Sequence, residues 1–132
     1  MVEHVRLSDF TIGKLRLLLF YDQEFLLKNV HEDPSASRFR IEKMTASWKQ
    51  LVTDKRIKTL EIRRIGMAPL IYFCIINYEK GMFGYFWPRH GISGLEPQQT
   101  ALVYSKSEYF KGMIRDSKQW FDSMWDVADK VA

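Results

Sequence analysis

The sequence predicts an α/β domain with a mixed β-sheet of about five strands and two main helices. Short apolar runs of strand length alternate with longer stretches of helical periodicity, which is the pattern of this class. The 132 residues fall within the usual size of one domain, so we expect a single domain over residues 1–132. Hydrophobic residues make up 46% and charged residues 27%, a globular composition that excludes wholesale disorder.

The first predicted element is a strand, and a long helix follows it. Residues 14–20 (KLRLLLF) form a Leu-rich run of strand length. After a connecting loop, Ser35 or Ser37 is expected to cap a helix that continues to about Asp54. The apolar residues of this helix recur at the spacing of one face packed on a sheet: Ile41, Met44, Trp48, Leu51 and Val52, with Phe39 nearby.

Three further strands are expected in the middle of the chain and a fourth before the last helix. Residues 57–65 (IKTLEIRRI) alternate in polarity and predict a strand with one polar face. Residues 70–78 (LIYFCIINY) are apolar on both faces, which indicates a central strand covered on both sides. A turn then returns the chain as an antiparallel strand over residues 82–87, and residues 101–104 form the last short strand.

A second helix is predicted to close the chain, with Ser105 or Ser107 as its cap. Its apolar stripe is wide and predicts heavy burial. The stripe consists of Phe110, Ile114, Phe121, Trp125 and Ala128, extended by Met113, Trp120, Met124 and Val131.

The net charge of +4 allows an anionic partner but does not require one. Basic residues concentrate in a short segment that could contact phosphate: Lys55, Arg56, Lys58, Arg63 and Arg64. A nucleic-acid-binding module that uses this patch is therefore an alternative function. It is not favoured, because nucleic-acid binders usually carry a denser basic stripe and a cluster beside a strand is more often a solvated rim.

The most suggestive loop follows Trp87-Pro88 and reads RHGISG. An aromatic ring, a guanidinium group and an imidazole could line one pocket there, and backbone N–H groups near the two glycines could cradle an anion. Trp87, Arg89, His90 and Ser93 are therefore the candidate residues for a small anionic ligand. An ordinary strand connection explains the same composition and is the more common case.

The motifs of catalysis, cofactor binding and metal binding are absent from the sequence. His4, His31 and His90 lack the spacing of metal ligands, and the loop after residue 88 matches no phosphate-binding fingerprint. Glu61 and Arg63 share one strand face, which indicates a neutralised ion pair rather than a catalytic acid. We therefore expect no catalytic residue, no cofactor and no metal, with an unrecognised hydrolase that uses His90 left as a minor alternative.

The single cysteine and the N-terminal sequence bear on location. Cys74 excludes an intramolecular disulfide, and its apolar surroundings in the sequence predict a buried thiol. Charged residues occupy the segment MVEHVRLSDF where a signal peptide has an apolar core. The apolar runs are also shorter than the roughly 18 residues that cross a bilayer. We expect a cytoplasmic protein with no membrane partner.

Five segments carry a resemblance to a known family: KLRLLLF, IKTLEIRRI, the pair LIYFCIINY and GMFGYFWP, and the ending QWFDSMWDVADKVA. In this order they resemble the degenerate, non-catalytic phospholipase D-like domains of bacteria, over about Gly13 to Ala132. The resemblance implies a phospholipase D-like half. Because such halves commonly pair across a sheet edge, it also implies a homodimer.

The catalytic motif of that family is not present. Catalytic members carry His-x-Lys followed by Asp, whereas Gly91 and Ile92 follow His90 here, and Asn77 stands where Asp often closes the strand. The resemblance therefore implies no phosphodiesterase activity and transfers no site residue. We expect a non-catalytic binding or sensor domain, with a small anionic ligand as its partner.

Overall fold

The computed structural model consists of strands and helices in the order that the α/β class requires. It describes residues 11–25, 27–28, 33–67, 71–77, 80–88, 95–104 and 108–131. The elements are β1 (Ile12–Phe20), α1 (Gln23–Phe25), α2 (Pro34–Thr53), β2 (Ile57–Ile65), β3 (Ile71–Ile76), β4 (Lys80–Pro88), β5 (Leu95–Tyr104), α3 (Glu108–Val127) and β6 (Asp129–Lys130). The α/β class and the two long helices, α2 and α3, are confirmed.

The described strands form two three-stranded sheets. The first has the order β1-β2-β6, with β1 parallel to β2 and β6 antiparallel to it. The second has the order β3-β4-β5 and is antiparallel throughout. A mixed sheet is therefore present, but a single sheet of about five strands is not confirmed.

Two details of the second sheet differ from the prediction. The central position expected for residues 70–78 is wrong within the described strands, because β3 lies at the edge of its three-stranded sheet there, and Ile76 is 55% exposed. Hydropathy reports whether the two faces of a strand are covered, and it carries no information about the strand's edges. β5 begins at Leu95 rather than at residue 101. The polar stretch before residue 101, which includes Pro97, is part of the strand because it pairs with β4. Proline is tolerated there because β5 is an edge strand.

The N-cap of helix α2 is Asp33, not either predicted serine. The Asp33 carboxylate accepts hydrogen bonds from the backbone N–H groups of Ser35, at 2.7 Å, and Ala36, at 3.4 Å. The Ser35 hydroxyl also donates to it. This hydroxyl bond is the main cause that lowers the pKa of Asp33, and the two backbone bonds add to it. Pro34 occupies the first helical position, where its missing N–H costs nothing.

The core lies between α2 and the first sheet. Trp48, Leu51, Ile57 and Ile62 are buried, and Met44, Val52 and Leu17 pack against them. The predicted stripe of α2 is confirmed at these helical positions. Phe39 is an exception, since 67% of it is exposed to solvent.

Helix α3 covers the opposite face of the first sheet. Strand alternation places Arg16, Phe20 and Arg63 on this face, and all three contact aromatic rings of α3. Heavy burial was expected, yet within the described part of α3 just Ile114 and Trp125 are buried. The helix ends at Val127, before Ala128 and Val131 of the predicted stripe, and the chain then pairs with β2 as β6. No helix in the described ranges is long and apolar enough to span a membrane.

Candidate functional site

A groove of about 960 Å³ lies at the carboxyl ends of the parallel strands β1 and β2. Tyr21 and Asp22 follow β1, Gly66 follows β2, and one face of α2 forms the opposite wall. We name it the strand-end groove; its principal lining side chains are Tyr21, Arg38, Glu42, Thr45, Lys49 and Arg64. In open α/β sheets, ligands bind in the crevice outside the carboxyl ends of the strands.

The backbone of the first sheet fixes the floor of this groove. The Tyr21 N–H donates to the Ile65 carbonyl at 3.0 Å, which extends the pairing of β1 and β2 beyond the end of β1. The Arg64 guanidinium lies 5.8 Å from the centre of the Tyr21 ring. On the other side of β2, Asp129 of β6 is the register partner of Arg64. Arg64 therefore lies against the Tyr21 ring on the floor of the groove.

Helix α2 supplies the other polar groups through helical periodicity. Arg38, Glu42, Thr45 and Lys49 are separated by steps of three or four residues, which places them along one face of the helix. The core residues Trp48 and Leu51 lie on the adjacent stripe. The burial of that stripe on the sheet therefore sets the angle at which the polar face borders the groove.

The charged groups of the groove are of both signs. Arg38, Lys49 and Arg64 are exposed, and none of them forms an ion pair with another residue that the structure describes. The carboxylates of Glu42 and Asp129 also line the groove. Both are exposed, and neither forms an ion pair within the described ranges. The groove can therefore hold an anionic group and can also accept hydrogen bonds from a ligand.

Two further carboxylates of the groove are already engaged in local structure. Asp22 accepts a hydrogen bond from the Phe25 N–H at 3.0 Å, which caps the short turn α1. Glu24 pairs with Lys28 at 2.6 Å. These two groups hold the segment that follows β1 in shape, so fewer acceptors are left for a ligand.

Thr45 is the unusual residue of the groove. It is 8% exposed, and its Oγ1 atom has no hydrogen-bond partner among the described residues. Hydroxyl side chains inside a helix often donate to the carbonyl one turn earlier, as Ser47 does to Lys43 at 3.0 Å. A buried hydroxyl without a partner costs about 1–3 kcal/mol, so this position is suited to a bound group that would complete its hydrogen bonding.

The predicted loop site lies mostly outside the described residues. Arg89, His90 and Ser93 are among the residues that are not described, as are His4 and His31. The backbone of Trp87 belongs to β4 and pairs with Glu96, but its side chain is outside the description. The anion site proposed for this loop stays a prediction.

The predicted basic cluster is distributed over several surroundings. Lys55 lies in the turn after α2, where its φ of 59° is in the left-handed region, and Lys58 is exposed on β2. Arg56 is half-buried at the start of that strand. Arg63 and Arg64 point to opposite faces of the sheet, towards α3 and the strand-end groove respectively. These side chains do not form one continuous basic surface.

The predicted ion pair between Glu61 and Arg63 is confirmed. A guanidinium nitrogen of Arg63 lies 2.8 Å from a carboxylate oxygen of Glu61. A second nitrogen donates to the backbone carbonyl of Trp125 at 2.8 Å. Arg63 therefore joins β2 to α3 and is not available for phosphate.

Sequence reasoning missed the polar face of α2. Arg38 and Lys49 lie off the apolar stripe and so read as solvated, and Thr45 carried no signal. Their regular spacing beside the stripe was visible in the sequence. These helix residues form a groove only together with Tyr21 and Arg64, which are more than forty positions apart in the chain.

Neither a metal site among the described residues nor a similar known protein was found for this chain. Within the described ranges, no group of three or more His, Cys, Asp or Glu side chains could hold a metal ion. No family model, curated protein or solved structure matches the chain.

Proposed function

We propose that this protein is a non-catalytic binding or regulatory domain whose small anionic ligand occupies the strand-end groove. The observation that carries the proposal is the buried Thr45 hydroxyl, which borders the same groove as three cations. Neither the hydroxyl nor any of these cations has a hydrogen-bond or ion-pair partner, respectively, among the described residues. Unpaired polar groups that converge in one groove are typical of a ligand site. The groove lies where α/β sheets commonly bind ligands.

The charges on the two walls narrow the chemistry of the ligand. Arg38, Lys49 and Arg64 would bind an anionic group such as a phosphate or a carboxylate. Glu42 and Asp129 would accept hydrogen bonds from hydroxyl or amine groups. A small molecule that combines an acidic group with hydroxyl groups therefore fits better than a simple inorganic anion.

Titration calorimetry with inorganic phosphate and ribose 5-phosphate tests this function. We expect ribose 5-phosphate to bind more tightly, and Arg64→Gln and Thr45→Val each to weaken its binding by about tenfold, the effect of losing roughly one charge-assisted contact. Lys58→Gln is the matched control, because Lys58 is an exposed cation of the same strand outside the groove. Equal affinities for all four proteins would contradict the proposal.

The same titration separates the groove from the loop that the sequence indicated. Arg89→Gln removes the guanidinium of the predicted loop site and changes none of the residues described as lining the strand-end groove. Loss of binding in Arg89→Gln with normal binding in Arg64→Gln would transfer the site to the loop. We expect the opposite pattern.

We also propose that the chain is a phospholipase D-like half that acts as a homodimer. The α/β class, the mixed sheet and the order of the resembling segments support this proposal. Native mass spectrometry of the purified protein tests it and detects any retained ligand at the same time. A monomer at every protein concentration would contradict the homodimer.

A further inference from the structure

A second groove, of about 500 Å³, lies between the two sheets. Its walls are β1 and the end of β3, and side chains of α3 border it. We name it the edge groove; its polar lining consists of Lys14, Arg16, Cys74, Asn77, Lys118 and Asp122. None of the described residues lines both this groove and the strand-end groove.

Both walls of the edge groove are edges of sheets. In the described strands, β1 pairs with β2 alone and β3 pairs with β4 alone. β1 lines the groove with four consecutive residues, 14–17, although successive side chains of a strand point to opposite faces. The groove therefore follows the main chain of β1, and an unpaired strand edge is a template for another strand.

Both walls of the edge groove include strand residues. β1 contributes residues 14–17, so its wall extends over four positions, and β3 contributes Cys74 and Ile75, followed by Asn77 of the turn after it. Four residues of extended chain are about 13 Å long at about 3.3 Å per residue. Among the described strands, β1 and β3 line one groove but do not pair with each other, so an extended segment bound there would meet an unpaired strand edge on either side.

The charge of the lining selects the kind of segment. Among the lining residues that the structure describes, the three cations Lys14, Arg16 and Lys118 outnumber one carboxylate, Asp122, which leaves two excess positive charges in this part of the groove. Asp122 bonds to Arg16 at 3.0 Å and to Lys118 at 2.7 Å. Lys14 is exposed and forms no ion pair within the described ranges. An occupant with acidic side chains would balance this excess.

We propose that the edge groove binds an extended acidic peptide segment of a partner protein, which adds as a strand between β1 and β3. Main-chain hydrogen bonds to the strand edges supply affinity, and side-chain contacts with the basic lining supply specificity. The added strand would join the two sheets into one. This interaction is independent of the ligand proposed for the strand-end groove.

Cys74 provides a direct reporter of the edge groove, because it lines the groove and the chain has no other cysteine. The experiment measures the rate at which iodoacetamide alkylates this thiol, with and without a peptide. Burial raises the pKa of Cys74, so the reaction is run at alkaline pH to provide enough thiolate. The probe is the peptide acetyl-Glu-Val-Glu-Val-Glu-Val-amide.

Two matched peptides separate strand addition from charge attraction. One has the same sequence with N-methyl groups on alternate amides, and the other carries Lys in place of Glu. We expect the Glu-Val peptide to slow alkylation about tenfold at about ten times its Kd, since about a tenth of the protein then stays free. The N-methylated and Lys-Val peptides are expected to leave the rate unchanged.

A charge reversal in the protein tests the basic wall. We expect Lys14→Glu to weaken binding of the Glu-Val peptide about fivefold, as expected for an exposed charge pair turned repulsive. Lys58→Glu is the control, because Lys58 is an exposed cation on the neighbouring strand outside the edge groove. Circular dichroism confirms that both variants are folded.

Three results would overturn the proposal. The first is a Glu-Val peptide that gives no protection of Cys74. The second is equal protection by the N-methylated or the Lys-Val peptide. The third is protection that rises with protein concentration in the absence of peptide, which would show that a second copy of this chain occupies the groove.

Discussion

The two faces of the β1-β2-β6 sheet are held to their helices by different interactions. On the face toward α2, apolar side chains such as Leu17 and Ile62 pack against Trp48 and Leu51. On the face toward α3, guanidinium groups of the strands lie against aromatic rings of the helix. One sheet therefore combines a hydrophobic interface with a charged one.

The charged interface is organised around two stacked rings. Phe121 and Trp125 of α3 have centroids 5.4 Å apart and planes 21° apart. The Arg16 guanidinium lies 4.9 Å from the Phe121 centroid, and that of Arg63 lies 4.6 Å from Trp125. Glu61 and Asp122 pair with these two arginines. The rings, guanidinium groups and carboxylates thus form one network between sheet and helix.

The difference predicts different responses to conditions. Apolar burial does not titrate with pH and is not screened by salt, because the groups involved carry no charge. Cation–π contacts and half-exposed ion pairs weaken when a partner is neutralised or screened. The α2 interface should therefore determine global stability, and the α3 interface should determine how that stability varies with conditions.

The largest effect is expected from a cavity in the α2 interface. Leu51 is fully buried, so Leu51→Ala should lower the free energy of unfolding by about 3 kcal/mol in a urea titration. Leu27→Ala is the matched control, because Leu27 is 52% exposed, and it should change stability little. If Leu51→Ala lowers the free energy of unfolding by less than a charge-removing variant of the α3 interface does, the α2 interface does not determine global stability.

A smaller loss is expected when the α3 interface loses a charge. Arg63→Met keeps much of the side-chain volume but removes the hydrogen bond to the Trp125 carbonyl and leaves Glu61 without its partner. We expect a loss of about 1–2 kcal/mol in the same urea titration, and less of a loss for Arg63→Lys. Arg115→Met, at an exposed position of α3, serves as the control and should be close to neutral.

Thr45→Val should have an effect of opposite sign. It removes a buried hydroxyl without a described partner and keeps the shape of the side chain, so stability should rise by up to about 1 kcal/mol. Thr45→Ser retains the hydroxyl and controls for the change of side chain. A loss of stability in Thr45→Val would show that the hydroxyl has a structural partner in solution.

The smallest effect is a pH dependence at Asp122. The Lys118 ammonium, followed by Arg16, holds the pKa of Asp122 below its ordinary value of 3.8. The carboxylate therefore adds stability above that pH, and this stability is lost as pH falls through the lower pKa of the folded state. Asp122→Asn should lower the unfolding free energy by less than about 1 kcal/mol at neutral pH, because the pair is partly exposed.

The readout for Asp122 is the difference in unfolding free energy between wild type and Asp122→Asn as a function of pH. This difference should be present at neutral pH and should disappear in strong acid. Asp116→Asn, which changes an exposed carboxylate of the same helix, is the control for the substitution itself. A constant difference across the whole pH range would contradict the pKa argument.

Short-range patterns allowed much of the first sheet to be predicted. β2 begins and ends where the alternation of residues 57–65 indicated, because period-two polarity follows directly from strand geometry. The stripe of Trp48 and Leu51 identified the buried face of α2. The Glu61–Arg63 pair was predictable because two residues on one strand face are neighbours in any sheet.

The candidate site was much less predictable. Thr45 is an ordinary helix residue in the sequence, and its burial depends on where α2 lies relative to the sheet. Asp33 is the N-cap of α2 because its carboxylate accepts hydrogen bonds from two backbone N–H groups. Asp and Ser are both favoured capping residues, so the sequence does not show which of several adjacent ones is the cap. β6 was missed because two residues are too few to show a strand pattern.

The sequence by itself determined the α/β class, the two long helices and the apolar face of α2, because these follow from periodicities within one segment. The tertiary structure alone decided which strands are neighbours and which edges stay open. Backbone hydrogen bonds between distant segments make that choice, and every residue carries the same donor and acceptor for them. Both grooves lie where such segments meet. The sequence therefore shows which charged and polar residues exist, but only the tertiary structure shows which of them line each groove.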